Sequence, residues 1–104
     1  MSNAVDCNSI DEVRANIDRI DRQIVILLAE RECYVKQAAR FKKSTDDVQA
    51  PQRVEQIIAK VTALSQELGA NSSITEQVYR AMISGFINAE MAEHAALKGS
   101  SGKP

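Results

Sequence analysis

The stretch VRANIDRIDRQIVILLAERECYVKQAARF, residues 13–41, decides the fold because its apolar residues recur with one regular spacing. The steps between them alternate four and three residues, which is the heptad repeat of a helix that packs along one seam. No glycine or proline interrupts the repeat. The seam positions are Val13, Ile17, Ile20, Ile24, Leu27, Arg31, Tyr34, Ala38 and Phe41. The sequence therefore predicts one helix of about 33 residues, roughly 50 Å long.

Signals at both ends bound this helix. Residues 9–12 read SIDE, a capping box in which the serine accepts a backbone N–H and the glutamate reaches back to the cap. After Lys42, the segment KSTDDVQA, residues 43–50, is polar and rich in turn-forming residues. We therefore expect residues 43–50 to form a loop.

Two shorter helices follow. Pro51 suits the first turn of the second helix, and Gly69 suits the position just after its end. A second capping box, SITE at residues 73–76, starts the third helix. The fold class is thus all-α with three helices, one long and two shorter. We assign residues 9–98 to one helical domain, with flexible tails at 1–8 and 99–104.

Composition narrows the class of protein. The chain has 104 residues, 44% of them hydrophobic and 26% charged, as in a soluble globular domain. The formal net charge of −1 argues against nucleic-acid binding through phosphate neutralisation. We see neither a membrane span nor a secretory signal, and therefore expect a cytoplasmic protein that binds no membrane.

The long helix exceeds what its own chain can cover. A compact domain of this length has a radius of gyration of only about 13 Å. Two shorter helices cannot cover a helix of roughly 50 Å, so its seam should pack against another copy of the chain. We therefore expect an intertwined helical homodimer.

Several cations fall on or beside the apolar seam. Arg31 occupies a seam position, and Lys42, three turns later, returns to nearly the same helix face. Arg14 lies about 25 Å from Arg31 along the helix, so it can reach the site of Arg31 only from the partner of an antiparallel dimer. Glu90 falls on the apolar stripe of the third helix, and Arg53 follows the loop.

These charges have two interpretations. Charges beside a seam commonly form interhelical salt bridges that set the register of a coiled coil. The five inward candidates, however, comprise four cations and one acid, whereas a purely structural network should be closer to neutral. The surplus favours a small dianionic ligand, because arginine binds carboxylates through two parallel hydrogen bonds.

Other reactive residues offer no recognisable site. Cys7 and Cys33 lie far apart without metal-ligand spacing, so we expect two reduced thiols and no metal. His94 is the single histidine, and without a nucleophile partner we expect it at the surface near a helix end.

The motifs IDRID, YVK, RFK and APQRV within residues 17–54 resemble those of the all-α chorismate mutase family. The resemblance covers roughly residues 9–97 and is closer to the isochorismate pyruvate lyases, which make salicylate for siderophores. It implies the intertwined homodimer and a pericyclic reaction with neither a covalent intermediate nor a cofactor.

The resemblance also implies residue roles. Arg31 and the Arg14 of the other subunit would clamp the two substrate carboxylates, and Arg53 would help to hold the ring. Lys42 would donate to the ether oxygen of the breaking C–O bond, and residues 43–50 would form a mobile lid that positions it.

Two positions bear on which reaction is catalysed, and a third bears on its pH dependence. Val54 and Phe86 match the lyases better than the mutases, although both residues also suit simple core packing. Glu90 stands where bacterial lyases and many mutases have glutamine, and a carboxyl donates a hydrogen bond only when it is protonated. We therefore expect isochorismate pyruvate lyase activity that falls as pH rises. The alternatives are a chorismate mutase and a non-catalytic helical dimer that binds a ligand.

Overall fold

The first helix, α1, runs from Ile10 to Ala39 in this computed structural model, which describes residues 4–101 and side chains as far as residue 96. Its cap is the predicted one, because Ser9 Oγ accepts from the Glu12 N–H at 3.1 Å. The Glu12 carboxylate reaches one residue further back than expected and accepts from the Asn8 N–H at 2.9 Å. The prediction of one long, uninterrupted helix is confirmed.

The end of α1 tightens before the chain leaves it. The amides of Arg40, Phe41 and Lys42 each bond to the carbonyl three residues earlier, at 3.0–3.3 Å. Such bonds are typical of a tighter last turn at a helix end. The helix therefore has 30 residues, and Lys42 follows it on a tight turn.

The loop prediction for residues 43–50 is wrong, because this segment contains a short helix, α2, from Thr45 to Gln49. Ser44 Oγ accepts from the Asp47 N–H at 3.2 Å, and the Asp47 carboxylate accepts from the Lys43 N–H at 3.1 Å. This reciprocal pairing resembles a capping box and satisfies two amides at the start of α2. Val48 is buried and attaches the segment to the rest of the fold.

The helix α3 runs from Pro51 to Glu67, and α4 runs from Ser72 to Ser101. Gly69, with φ of 77°, follows the end of α3 as predicted. The predicted cap of α4 is displaced: Asn71 Oδ1, rather than Ser73, accepts the first amides of the helix, at 3.0 and 3.3 Å. The asparagine takes the cap because its carbonyl reaches both N–H groups.

Parts of the predicted tails lie outside the described residues, namely 1–3 and 102–104. The helix α4 is continuous through Ser101 and therefore passes the expected boundary after residue 98. With 30 residues it is as long as α1, so the prediction of one long and two shorter helices is wrong in this respect. The flexibility of both tails stays a prediction.

The fourth helix organises the packing, because α1, α2 and α3 all pack against it. Among residues 4–96, whose side chains are described, the buried apolar residues are few, namely Ala39, Val48, Ile58 and Ile83. Between α3 and α4, the hydroxyl groups of Ser65 and Thr75 are hydrogen-bonded at 2.8 Å. The core is thus thin and lies around the C-terminal end of α1.

Much of α1 extends away from this core. The molecule measures 65 × 26 × 16 Å, and its radius of gyration is 17.8 Å, against about 13 Å for a compact chain of this length. The seam residues Ile17, Ile20, Ile24 and Leu27 remain 44–62% exposed. Within residues 4–101, no helix is long and apolar enough to cross a membrane.

Candidate active site

A cavity of about 340 Å³ lies where the end of α1, α2, the start of α3 and the middle of α4 meet. This volume is within the range of about 300–1,000 Å³ that is common for small-molecule sites. Four charged residues line the cavity, namely Arg31, Lys42, Arg53 and Glu90. Its apolar walls include Val35, Val48, Val54, Ile83, Phe86 and Ile87.

Lys42 and Glu90 form an ion pair inside this cavity. The distance from Lys42 Nζ to Glu90 Oε2 is 3.2 Å, and the two side chains are 27% and 8% exposed. Nζ also donates to the backbone carbonyl of Asp47 at 3.2 Å. An ammonium group carries three donors, so these contacts leave Lys42 able to donate to a ligand.

Glu90 is incompletely satisfied. Its Oε2 is buried and, among the described residues, receives no hydrogen bond of good geometry, although Nζ lies close enough for an ion pair. A buried carboxylate oxygen without a directed donor is costly. The arrangement therefore suits a bound molecule that completes the polar contacts of Glu90.

Arg31 lies above an aromatic ring on α4. Its guanidinium carbon is 5.1 Å from the centre of the Phe86 ring, within the range of a cation–π contact. This contact holds the planar group against an apolar wall of the cavity. Arg53, on the first turn of α3, lines the same cavity but is largely exposed.

Arg14 is the predicted site residue that lies elsewhere. It is exposed on the first turns of α1, about 25 Å along the helix from Arg31. A single chain therefore brings together Arg31, Lys42, Arg53 and Glu90 but not Arg14.

The surface position expected for His94 is wrong. The residue is buried on α4, with 9% exposure, and its Nε2 lies 3.2 Å from the backbone carbonyl oxygen of Lys42. It lies one helical turn after Glu90, so the i, i+4 spacing of the two residues was a usable signal. Asp47 was also missed, although its spacing from Ser44 is that of a reciprocal cap.

The two cysteines are free thiols, Cys7 partly buried and Cys33 exposed. Over residues 4–101, no group of three or more histidine, cysteine, aspartate or glutamate side chains is placed to hold a metal ion.

Two comparisons with known proteins match most of this chain. The sequence model of the family described as chorismate mutase type II matches residues 13–91. An isochorismate pyruvate lyase from Pseudomonas aeruginosa is 34% identical over 87 residues, which make up 84% of this chain and 86% of that protein. The family match includes all four charged residues of the cavity and Arg14, whereas His94 lies just beyond it.

Proposed function

This chain belongs to the chorismate mutase type II family, and on that basis we propose that it is a pericyclic enzyme that converts isochorismate to salicylate and pyruvate. The observation that carries the proposal is the charge balance of the cavity, whose lining includes three cations and one carboxylate. One carboxylate balances only one of the three cations, so the lining keeps a net positive charge that attracts an anion. A small dianion of the chorismate type would compensate it.

Each cation has a distinct part in this proposal. Arg31, steadied by Phe86, binds one carboxylate, and Arg53 holds the ring side from the rim of the cavity. Lys42 donates to the ether oxygen as its C–O bond breaks and negative charge develops there. The apolar walls hold the substrate in its reactive conformation.

The apolar wall favours the lyase. Val54 and Phe86 both line the cavity, so each is placed to contact a substrate. Neither residue offers a polar group to a hydroxyl on the ring of the substrate. The 34% identity to a lyase points the same way.

Chorismate mutase activity is the second candidate, because the matching family model carries that description. Purified protein incubated separately with isochorismate and chorismate distinguishes the candidates. Salicylate fluorescence from isochorismate supports the lyase. Loss of chorismate absorbance without salicylate supports the mutase, and no reaction with either substrate, at acid or neutral pH, favours a non-catalytic binding protein.

We also propose that the active unit is an intertwined homodimer. An apolar groove of about 720 Å³ lies between α1 and α4, lined by Ile24, Leu27, Leu28, Val78, Met82 and Ala89 among others. Arg31 and Phe86 line both this groove and the charged cavity. A second chain in the groove would therefore lie directly beside the proposed substrate.

An antiparallel pairing of two α1 helices explains how Arg14 contributes. If the twofold axis passes near Arg22 and Gln23, Arg14 of one chain lies opposite Arg31 of the other. The half-exposed Ile17, Ile20, Ile24 and Leu27 flank that axis and would become buried. Light scattering at micromolar concentration should give the mass of a dimer, and a stable monomer would contradict the proposal.

Two further expectations stay predictions. A cytoplasmic location fits a small-molecule enzyme without a membrane-spanning helix in its described residues. The use of salicylate in siderophore synthesis depends on the resemblance to the lyases.

A further inference from the structure

His94 is a buried ionisable residue that the proposed mechanism leaves without a role. It lies four residues after Glu90 on α4, and side chains at this spacing share one helix face. Both residues are buried, and both contact Lys42. The same face of α4 thus touches Lys42 twice.

The two contacts hold opposite ends of Lys42. Glu90 pairs with the ammonium group at 3.2 Å, and His94 Nε2 lies 3.2 Å from the backbone carbonyl oxygen. A carbonyl oxygen only accepts hydrogen bonds, so the imidazole must be the donor. Nε2 therefore carries a hydrogen, whether the ring is neutral or protonated.

The peptide group of Lys42 is at a point where the chain needs an anchor. Lys42 lies after the end of α1 at Ala39 and before the start of α2 at Thr45. Its carbonyl is consequently outside the regular hydrogen bonding of both helices. A bond from a buried side chain on α4 fixes this carbonyl, and so fixes the direction from which the lysine enters the cavity.

We propose that His94 is a positioning residue, which anchors the Lys42 peptide group to α4 and thereby holds Nζ at the reacting end of the cavity. The catalytic consequence rests on the function proposed above. The lysine side chain is 27% exposed and has four rotatable bonds, so a fixed backbone reduces the number of positions that its amine can adopt.

Two substitutions separate the hydrogen bond from packing. His94→Leu removes the donor, whereas His94→Gln keeps an N–H near the position of Nε2. The control is Glu93→Leu, which places the same side chain one position earlier at an exposed site. Neither His94 variant alters a residue that we expect to contact the substrate.

The first readout is hydrogen exchange of the unliganded protein. In His94→Leu, the amides of residues 42–50 should exchange about three- to tenfold faster, as expected when one hydrogen bond is lost. His94→Gln and Glu93→Leu should stay close to the wild type. Unchanged exchange in His94→Leu would overturn the proposal without affecting the proposed function.

The second readout is steady-state kinetics with whichever substrate the wild type converts. His94→Leu should lower kcat about ten- to a hundredfold while KM changes little. The reason is that a displaced amine stabilises the transition state less but has little effect on substrate binding. His94→Gln should recover most of the loss. If His94 contributed only by packing, His94→Leu and His94→Gln would be equally impaired, and that result would also overturn the proposal.

A third measurement uses the wild type and does not depend on a variant folding. Nitrogen NMR of the imidazole, at a pH where the ring is neutral, should show hydrogen on Nε2. Hydrogen on Nδ1 would place a lone pair against the Lys42 carbonyl and overturn the proposal. If the wild type converts neither substrate, the proposed function fails, and the catalytic role of His94 fails with it.

Discussion

Arg31 is the residue at which the apolar seam and the charged cavity meet. Its guanidinium lies over Phe86, and it lines both the cavity and the groove between α1 and α4. A planar cation with several donors suits a carboxylate better than a point charge does. Binding of a substrate carboxylate, as proposed above, would explain an arginine at a heptad position that normally carries an apolar residue.

Replacing this side chain tests the assignment. Arg31→Ala should lower kcat/KM about a hundred- to a thousandfold, the usual loss for one preorganised charge-binding group. Arg31→Lys should recover only part of the activity, because lysine lacks the two-pronged geometry. Arg40→Ala, at the exposed end of α1, is the matched control and should stay near wild type. A mild effect of Arg31→Ala would make the site assignment untenable.

Glu90 gives a second prediction about a single residue. Its carboxyl can donate to a substrate oxygen only when protonated, so activity should rise as pH falls. The amide of Glu90→Gln donates at every pH, and the variant should show a flatter pH–rate profile. Glu90→Gln should also have a lower KM for the dianionic substrate than the wild type, because the substitution removes a negative charge from the cavity.

The control for this experiment is Glu93→Gln, which changes an exposed carboxylate nearby and should keep the wild-type profile. Profiles of kcat/KM from acid to neutral pH measure the effect. The same pH dependence in wild type and Glu90→Gln would refute the assignment of the donor role to Glu90.

At the scale of helices, periodicity predicted α1 and α3 well because both depend on short-range signals. The seam from Val13 to Phe41 has no competing pattern, and Ser9 caps it as the sequence indicates. Gly69 ends α3 for a similarly local reason, its positive φ. Propensity, capping and the apolar stripe all agree over these segments, and such agreement makes sequence-based prediction reliable.

The segment between α1 and α3 shows where such prediction fails. Its five-residue helix is too short to be stable alone, and it forms here with Val48 buried beside α4. That contact depends on the folded arrangement of other helices. The position of His94 was missed for the same reason, because its partner Lys42 is 52 residues away.

An exposed charge cluster links α3 to α4 and gives a prediction for stability. Arg80 contacts Glu55 across the two helices at 2.9 and 3.1 Å, and Glu76 one turn earlier at 2.8 Å. The hydrogen bonds from Arg80 lower the pKa of the Glu55 carboxyl below its ordinary value of 4.5, and this effect outweighs the opposing effect of desolvation. The same bonds, to Glu55 first and Glu76 second, raise the pKa of Arg80.

A carboxyl with a lowered pKa in the folded state stabilises the fold above its unfolded pKa and loses this effect as pH falls through the folded pKa. Arg80→Ala should therefore reduce Tm by at most a few degrees at neutral pH, since the pair is exposed. The difference from wild type should decrease as pH falls below the ordinary glutamate pKa of 4.5 and vanish below the lowered pKa of Glu55 in the folded protein. Lys60→Ala is the control, and a Tm difference that persists in acid would exclude the ion pair as its cause.

The whole molecule presents an apolar surface that its own chain leaves open. The exposed half of α1 carries Ile17, Ile20, Ile24 and Leu27, and fully burying one such side chain is worth about 1.5–3 kcal/mol. Four residues from each of two chains would supply much of the free energy of association, although these side chains are already partly covered. The exposed apolar seam and the remote Arg14 thus both support the proposed homodimer.

Mixing two inactive variants tests whether the site is shared. Arg14→Ala and Arg31→Ala should each be inactive as homodimers, because every site in them lacks one cation. In a mixed dimer, one site combines the intact Arg31 of one chain with the intact Arg14 of the other. Random exchange of subunits should therefore restore about a quarter of the wild-type sites, since about half of the dimers are mixed and each has one complete site.

The control mixture distinguishes a shared site from any general rescue by dimer exchange. Arg31 and Lys42 line the same cavity of one chain, so a mixture of Arg31→Ala with Lys42→Ala contains no complete site in any combination. That mixture should stay inactive after unfolding and refolding together, while the first mixture recovers. If neither mixture regains activity, although mixed dimers are present by mass spectrometry, then Arg14 does not act across the interface. The cations would in that case have to bind the substrate from within one subunit.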